Sequence, residues 1–396
     1  MKLKVLIADK FPDKYIQQMK DLHLDVIYEP KLGEKDLPQA AKDVDILIVR
    51  STIVNEETIN SSKALNLIIR AGSGVNNINI QAANKRGVYV ANCPGMNAVA
   101  VAELAVGLMI ALDRFIPDNV ADFKSGKWNK DKYSKGKGLK GKTLGVIGVG
   151  AIGKEVAKRA LAFEMNVYGK DITRIEGVQI KDFSEMDKLL ALCDVVSIHL
   201  PATSETKGLF NKKMFSYMKD GAYLINTSRQ DVIVEDDLLE AIKEKNLRVA
   251  LDVFKGEPEG KTGEVKSKLQ DNPNVYVTHH IGASTAQAQD AVAEETVRII
   301  EHYAHSGIID HWVNRARITD AHYQLVVKHF DKPGVLAGVL DLLREGNINI
   351  EEIENVIFDG GIAASCTMKL KNAASADMIK KMTDNPNVIS VSHVDI

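Results

Sequence analysis

The sequence predicts a layered α/β protein: two doubly wound parallel-sheet domains followed by a small βαββαβ unit. Three observations predict it. Short apolar runs recur with helix-length segments between them, a glycine-rich turn sits between a strand and a helix, and the pattern changes after residue 317. At 396 residues the chain exceeds what one ordinary core supports. With 45% hydrophobic and 26% charged residues it reads as globular rather than disordered.

The elements follow in order. Leu3–Ala8, Asp45–Val49, Leu67–Ile69 and Val88–Val90 are strand candidates, and continuous apolar runs of this kind imply a parallel sheet covered on both faces. The N-terminal segment, with no apolar core and cleavage site of a leader, reads as the first of these strands. Asn97–Leu112 is too long for a strand and predicts a buried helix. Residues 121–142, rich in Lys and Gly and carrying Trp128, predict a surface arm. A second series, Thr143–Ile147, Asn166–Tyr168, Val195–Ile198, Ala222–Ile225, Val249–Leu251 and Val275–Val277, gives six strands of a doubly wound domain. A helix is expected from Gln287 to about His305, stopped by Gly307. Residues 318–396 then read strand, helix, strand, strand, helix, strand, the order of a ferredoxin-like unit.

Composition excludes several classes. Basic residues number 51 and acidic ones 53, a net charge of -2, which argues against a phosphate-wrapping nucleic-acid binder. The most apolar stretch, 98–112, carries Glu103 and falls short of the ~20 residues a membrane helix needs. Cys93, Cys193 and Cys366 are odd in number and far apart, so free thiols in a reducing cytoplasm are expected. No CxxC or HExxH pattern occurs, and no metal is expected.

The strongest local signal is Gly148-Val-Gly150-Ala-Ile-Gly153, directly after a strand and opening a helix. Gly148 permits a tight turn, Gly150 lets a pyrophosphate approach the backbone, and Gly153 allows close helix–strand packing. The amides of Ala151 and Ile152 would point at the phosphates. Asp171, at the end of the next strand, would bond ribose hydroxyls and repel a 2′-phosphate, which favours NAD over NADP, although Lys170 and Arg174 flank it. Arg229, Glu257 and His280 each follow a later strand, where an open α/β sheet forms its ligand crevice. An Arg can grip a carboxylate with two parallel bonds, a His can accept a hydroxyl proton, and a Glu can fix the His tautomer. Together they suit oxidation of a 2-hydroxy acid.

The segments GVIGVGAIG, INTSRQDVIVE, LDVFKGEP and HHIGAST resemble the D-isomer-specific 2-hydroxyacid dehydrogenase family. Within it, RSTIV, RAGSGVNN, NCPGMN and GKWNK are similar to members that act on 3-phospho-D-glycerate, at the entry to L-serine synthesis. The resemblance covers nearly the whole chain. It implies two Rossmann/flavodoxin-like domains, a discontinuous substrate domain at 1–98 and 285–317 around a nucleotide domain at 99–284, with an ACT-like regulatory domain at 318–396. Arg229 would bind the substrate carboxylate, Glu257 would orient the histidine, and His280 would be the proton donor and acceptor. Asp252 would hold the nicotinamide carboxamide, Thr227 and Ser228 would line the nicotinamide side, and Ser73, Gly282 and Ala283 would also touch the cofactor. His199, Leu200 and Pro201 would line the adenine side. Ser73 and Gly74 would sit near the substrate carboxylate, while Arg50, Ser51 and Asn97 would face its far end.

The chain departs from the family pattern at several places. Gln230 replaces a Gly after the arginine, and His279 replaces a Pro before the histidine, which leaves His279 as an alternative base. Asn76, Asn77 and Asn79 remove two carboxylates near the substrate side. Lys130 stands where related members place an arginine that reaches a neighbouring subunit, and a lysine lacks the bidentate fork. In the C-terminal unit His329, Asp331 and Asn349 match positions through which ACT modules bind L-serine at a subunit interface, although Asp331 is often Asn. A homodimer or homotetramer is implied. Two alternatives stay open: the same chemistry on glyoxylate, hydroxypyruvate, D-lactate or 2-oxoglutarate, and a dinucleotide-sensing corepressor.

Overall fold

A computed structural model describes residues 2–258, 262–316 and 319–396. It divides into two compact units, Met1–Asn314 and Arg315–Ile396; the boundary expected at 317/318 lies outside the described residues.

The first unit holds two parallel sheets. Strands β1 (Lys4–Ile7), β2 (Asp25–Tyr28), β3 (Ile46–Val49), β4 (Leu67–Arg70) and β5 (Tyr89–Asn92) pair in the order β2-β1-β3-β4-β5. The inner strands are apolar because helices cover both faces: β3 is buried at all four positions. Strand β2 was not anticipated from the sequence. Its DVIY run is partly exposed at the sheet edge and lacks the uninterrupted apolar pattern of its neighbours.

The second sheet contains β6 (Thr143–Ile147), β7 (Asn166–Lys170), β8 (Lys181–Asp182), β9 (Val195–Ile198), β10 (Tyr223–Asn226), β11 (Arg248–Leu251) and β12 (Val275–Val277), ordered β12-β11-β10-β9-β6-β7-β8. Seven strands stand where six were expected; the addition is β8, two exposed polar residues at the edge. The order reverses between β6 and β9, and a doubly wound sheet opens its ligand crevice at that point.

Two helices link the sheets. The helix Ala98–Arg114 buries Ala102, Ala105, Leu108, Met109 and Leu112 in the core of the second sheet. The helix Ala286–Ser306 returns the chain and buries Ala293, Val297, Ile299 and Ile300 against the first. Thr285 caps its start by accepting from the Ala288 amide at 3.1 Å, and Gly307 ends it with φ 71°, as expected of the stop. Beyond it, the Val313 amide donates to Val90 O at 2.7 Å and the Tyr89 and Trp312 rings meet edge to face. Residues from both ends of the first unit thus complete one lobe.

Between the first helix and β6 lies the arm. It is a nine-residue helix, Ile116–Lys124, followed by an exposed loop in which Trp128 is 84% exposed. Among the described residues no helix is long and apolar enough to cross a membrane.

In the second unit β13 (Tyr323–Phe330), β14 (Ile350–Ile357), β15 (Ala363–Leu370) and β16 (Val388–Asp395) form an antiparallel sheet ordered β14-β15-β13-β16. Helices Val335–Glu345 and Ala376–Thr383 contribute Val339, Leu343 and Met382 to its core, which gives the βαββαβ plan.

Candidate active site

The crevice begins at the turn after β6. Gly148 has φ 89°, and a Cβ there would lie 2.6 Å from the His199 carbonyl oxygen; at Gly153 it would lie 2.1 Å from Gly148 O. Neither position accepts a side chain. Gly150 instead faces open space, at the first turn of the twelve-residue helix Ala151–Ala162. That gap beside free helix amides is what a pyrophosphate needs.

Asp171 closes the same turn. Its Oδ2 accepts from the Val149 amide at 2.6 Å and its Oδ1 from the Thr173 amide and hydroxyl at 3.0 and 3.1 Å. Burial pushes this carboxyl up, but the Thr173 and Val149 amides outweigh it and hold it below the usual range, so it stays charged. Across the switch point lies the half-buried His199. Its Nε2 meets Ser197 Oγ at 2.8 Å, its Nδ1 has no partner among the described residues, and burial pushes its pKa down to about 4. Thr227 Oγ1, at the end of β10, is likewise buried and unpaired. Buried polar groups normally find partners, so these two orphans beside the glycine cradle fit a polar ligand such as a dinucleotide. Leu200 and Pro201 follow His199 at the mouth, and Ser228 folds back so that its amide and hydroxyl both donate to Asn226 Oδ1.

The three expected chemical groups meet at the neighbouring strand ends. Glu257 Oε2 lies 2.8 Å from His280 Nδ1, and its Oε1 accepts from the Phe254 amide at 2.9 Å. Both oxygens are therefore used, and His279, which faces the same cleft, is not part of this pair. The hydrogen bond to Glu257 raises the His280 pKa above its ordinary value, with burial opposing. His280 sits at φ 51°, left-handed backbone that a non-glycine residue holds only when its surroundings impose it. Asp252, 1% exposed, supplies that constraint. Its Oδ1 accepts from Thr278 Oγ1 at 2.6 Å and the Ile281 amide at 2.8 Å, and its Oδ2 accepts from the Gly282 amide at 2.8 Å. Ala283 continues from this pinned segment, half-buried.

Arg229 follows β10 in extended backbone, and its Nη1 donates to Ser228 O at 2.7 Å. A Cβ on Gly74 would fall 2.6 Å from its Nη2, so the Gly74 backbone faces the guanidinium across the cleft. Ser73 is held beside it by a 2.8 Å bond to Asn97 Oδ1 at the start of the first linking helix. Arg50 and Ser51 follow β3, and Ser51 joins Asp9, Lys31, Glu257 and His280 in the walls of a cleft of about 1020 Å³.

Arg70 was not singled out from the sequence. It ends β4, its buried Nε has no partner among the described residues, and a Cβ on Gly72 would lie 1.7 Å from its Nη1. Burial, then the nearby Arg229 and Arg50 guanidiniums, push its pKa down. Three like charges converge there. The available signal was a lone arginine closing an otherwise apolar central strand.

Two expected groups stand elsewhere. Lys130 lies on the arm, in a hollow with Phe123, Trp128 and Tyr133, and does not line the cleft of its own chain. In the second unit, His329 is 2% exposed; its Nδ1 donates to Phe330 O at 2.8 Å and its Nε2 faces Asn355 Oδ1 at 3.3 Å. Asp331 is exposed just beyond. Asn349 precedes Ile350, which pairs with Leu370 beside Tyr323, whereas His329 pairs with Ala364 six strand positions along. At about 3.4 Å per residue that is on the order of 20 Å, so one chain does not bring these three residues together.

A histidine–carboxylate pair and an arginine grouped beside this nucleotide cradle define a nicotinamide-dependent dehydrogenase. Residues 106–282 match the NAD binding domain of D-isomer specific 2-hydroxyacid dehydrogenases. The chain is 44% identical over 271 residues to hydroxypyruvate reductase of Thermotoga maritima, covering 68% of this chain and 88% of that protein. It is 33% identical over 384 residues to D-3-phosphoglycerate dehydrogenase of Methanocaldococcus jannaschii, covering 94% of this chain and 70% of the relative. Among solved structures, NAD+-bound 3-phosphoglycerate dehydrogenase of Entamoeba histolytica superposes with a TM-score of 0.66 at 28% identity, covering 80% of this chain and 99% of that one. The chain belongs to the D-isomer specific 2-hydroxyacid dehydrogenase family, and NAD is its cofactor.

Proposed function

We propose that the protein oxidises 3-phospho-D-glycerate to 3-phosphohydroxypyruvate, the first step of L-serine biosynthesis. One observation carries the choice of substrate: the Arg50, Arg70 and Arg229 guanidiniums lie close enough to act on one another, and the buried Arg70 Nε has no partner among the described residues. Like charges so placed favour an acid with anionic groups at both ends.

In this reading Arg229 and the Gly74 backbone hold the substrate carboxylate. Glu257 accepts a hydrogen bond from the Nδ1–H of His280, which leaves Nε2 with its lone pair toward the substrate. His280 Nε2 takes the hydroxyl proton as the carbonyl forms. The hydride leaving C2 would need an acceptor, which a bound NAD would supply. Glu257 then stabilises the imidazolium, and the proton leaves to solvent. The Ala151 and Ile152 amides and Gly150 would hold the pyrophosphate, Asp171 the adenosine ribose, and Asp252, Thr227 and Ser228 the nicotinamide side.

A second acid has specific support. The 44% identity to a hydroxypyruvate reductase favours 2-oxoacid reduction on an unphosphorylated substrate. A panel of 2-hydroxy and 2-oxo acids with and without phosphate, read by NADH absorbance, separates the two. The proposal expects at least tenfold higher kcat/KM for the phosphorylated member of each pair; equal or lower values select the reductase.

The apolar face of the arm, with Phe123 71% exposed, supports docking of a second copy as a homodimer or homotetramer, with Lys130 offered to its cleft. Any L-serine site using His329, Asp331 and Asn349 then requires residues from two chains. Three free, buried cysteines support a reducing cytoplasm.

A further inference from the structure

The first lobe contains a buried carboxylate to which nothing above gives a role. Asp9 lies two residues beyond β1 and is 6% exposed. Its Oδ2 accepts from the Arg50, Ser51 and Thr52 amides at 2.7, 3.0 and 3.0 Å, and its Oδ1 accepts from Ser51 Oγ at 3.0 Å. The arrangement follows from the sheet. Strands β1 and β3 are parallel neighbours, with Ile7 beside Ile48, so the residue just past one strand faces the turn leaving the other.

The four donors fill the roughly four acceptor sites of one carboxylate. They bind consecutive residues of one short segment, and that segment carries Arg50 and Ser51. A charge-assisted bond to each amide fixes the direction of the backbone, and a side chain pre-set by its backbone loses less freedom when a ligand arrives. Asp9 is also an anion acting on Arg70, within a cluster otherwise cationic.

We propose that Asp9 is a positioning residue for substrate selection: its carboxylate fixes segment 50–52 so that Arg50 and Ser51 meet the end of the substrate remote from the reacting carbon. The inference rests on the reading that this end carries the phosphate.

The test is Asp9→Asn, which can still offer one carbonyl oxygen to the amides but removes the negative charge that makes those bonds charge-assisted. Misplacing a recognition group by a fraction of an ångström costs on the order of tenfold. The expected result is a KM for 3-phosphohydroxypyruvate raised about tenfold with kcat nearly unchanged, while KM and kcat for hydroxypyruvate stay within about twofold. Because Asp9 acts through the segment, Asp9→Asn added to Arg50→Ala should raise KM little beyond Arg50→Ala alone. If Asp9→Asn does not fold, Asp9→Glu, which keeps the charge but lengthens the arm, should show the same split. Equal losses on both acids, or additive losses in the double variant, overturn the assignment. Failure of the substrate reading looks different: the wild-type enzyme would then prefer hydroxypyruvate, and the same cycle with Arg50 on that acid decides for or against Asp9.

Discussion

Segment 50–52 beside the first sheet and segment 278–282 beside the second are each tied to a single buried carboxylate just past the end of a strand, Asp9 in one lobe and Asp252 in the other. Both carboxylates accept backbone amides, and both hold a loop that carries a functional side chain. The loops differ in what they hold. The second includes a residue at φ 51°, and its imidazole is partnered by Glu257; the first presents an arginine with no carboxylate in ion-pair distance among the described residues. A strained, paired histidine is ready for proton transfer, while an unopposed guanidinium suits an anion. The comparison teaches that one local device, a carboxylate under a strand-end turn, recurs in both lobes, and the proposed function gives it to chemistry in one and to recognition in the other.

Variants can break this division. The largest effect is expected for His280→Ala. Loss of a positioned acid–base group lowers kcat about 10²–10⁴-fold, while NADH affinity, measured by fluorescence titration, stays near wild type because separate groups hold the nucleotide. Near-normal turnover would remove His280 from the mechanism. Next is Arg229→Lys, which keeps the charge but loses the planar fork. It should lower kcat/KM by about 10–100-fold on every acid alike, since all carry the carboxylate. Arg50→Ala should be the most selective and the smallest, raising KM about tenfold for phosphorylated acids only. Uniform damage from Arg50→Ala would erase the distinction between the two loops.

Much of this architecture was legible beforehand, for a physical reason. Buried parallel strands must be apolar throughout, so β3, β4 and β9 announce themselves, and helix ends are marked by residues such as Thr285 and Gly307. Edge strands carry no such constraint, and β2 and β8 passed unnoticed because water satisfies one side of each. At the site, Gly148, Gly150 and Gly153 form a pattern of consecutive spacing. Arg70 and Asp9 do not, because their meaning comes from partners far along the chain: Arg229 for one, and residues 50–52 for the other. The positions of His329 and Asn349 at opposite ends of their sheet follow from strand register, which composition does not specify.

The central claim is that the imidazole of His280, held at 2.8 Å from Glu257, is the group that exchanges the substrate proton. Glu257 raises its pKa, so oxidation, which needs the neutral ring, should rise with pH through a value above the ordinary 6.5. The direct measurement is the pH dependence of kcat/KM for oxidation in the wild-type enzyme and in Glu257→Gln. The account predicts that the rise moves to lower pH in the variant, with a reduced plateau. A rise at the same pH in both enzymes would contradict it.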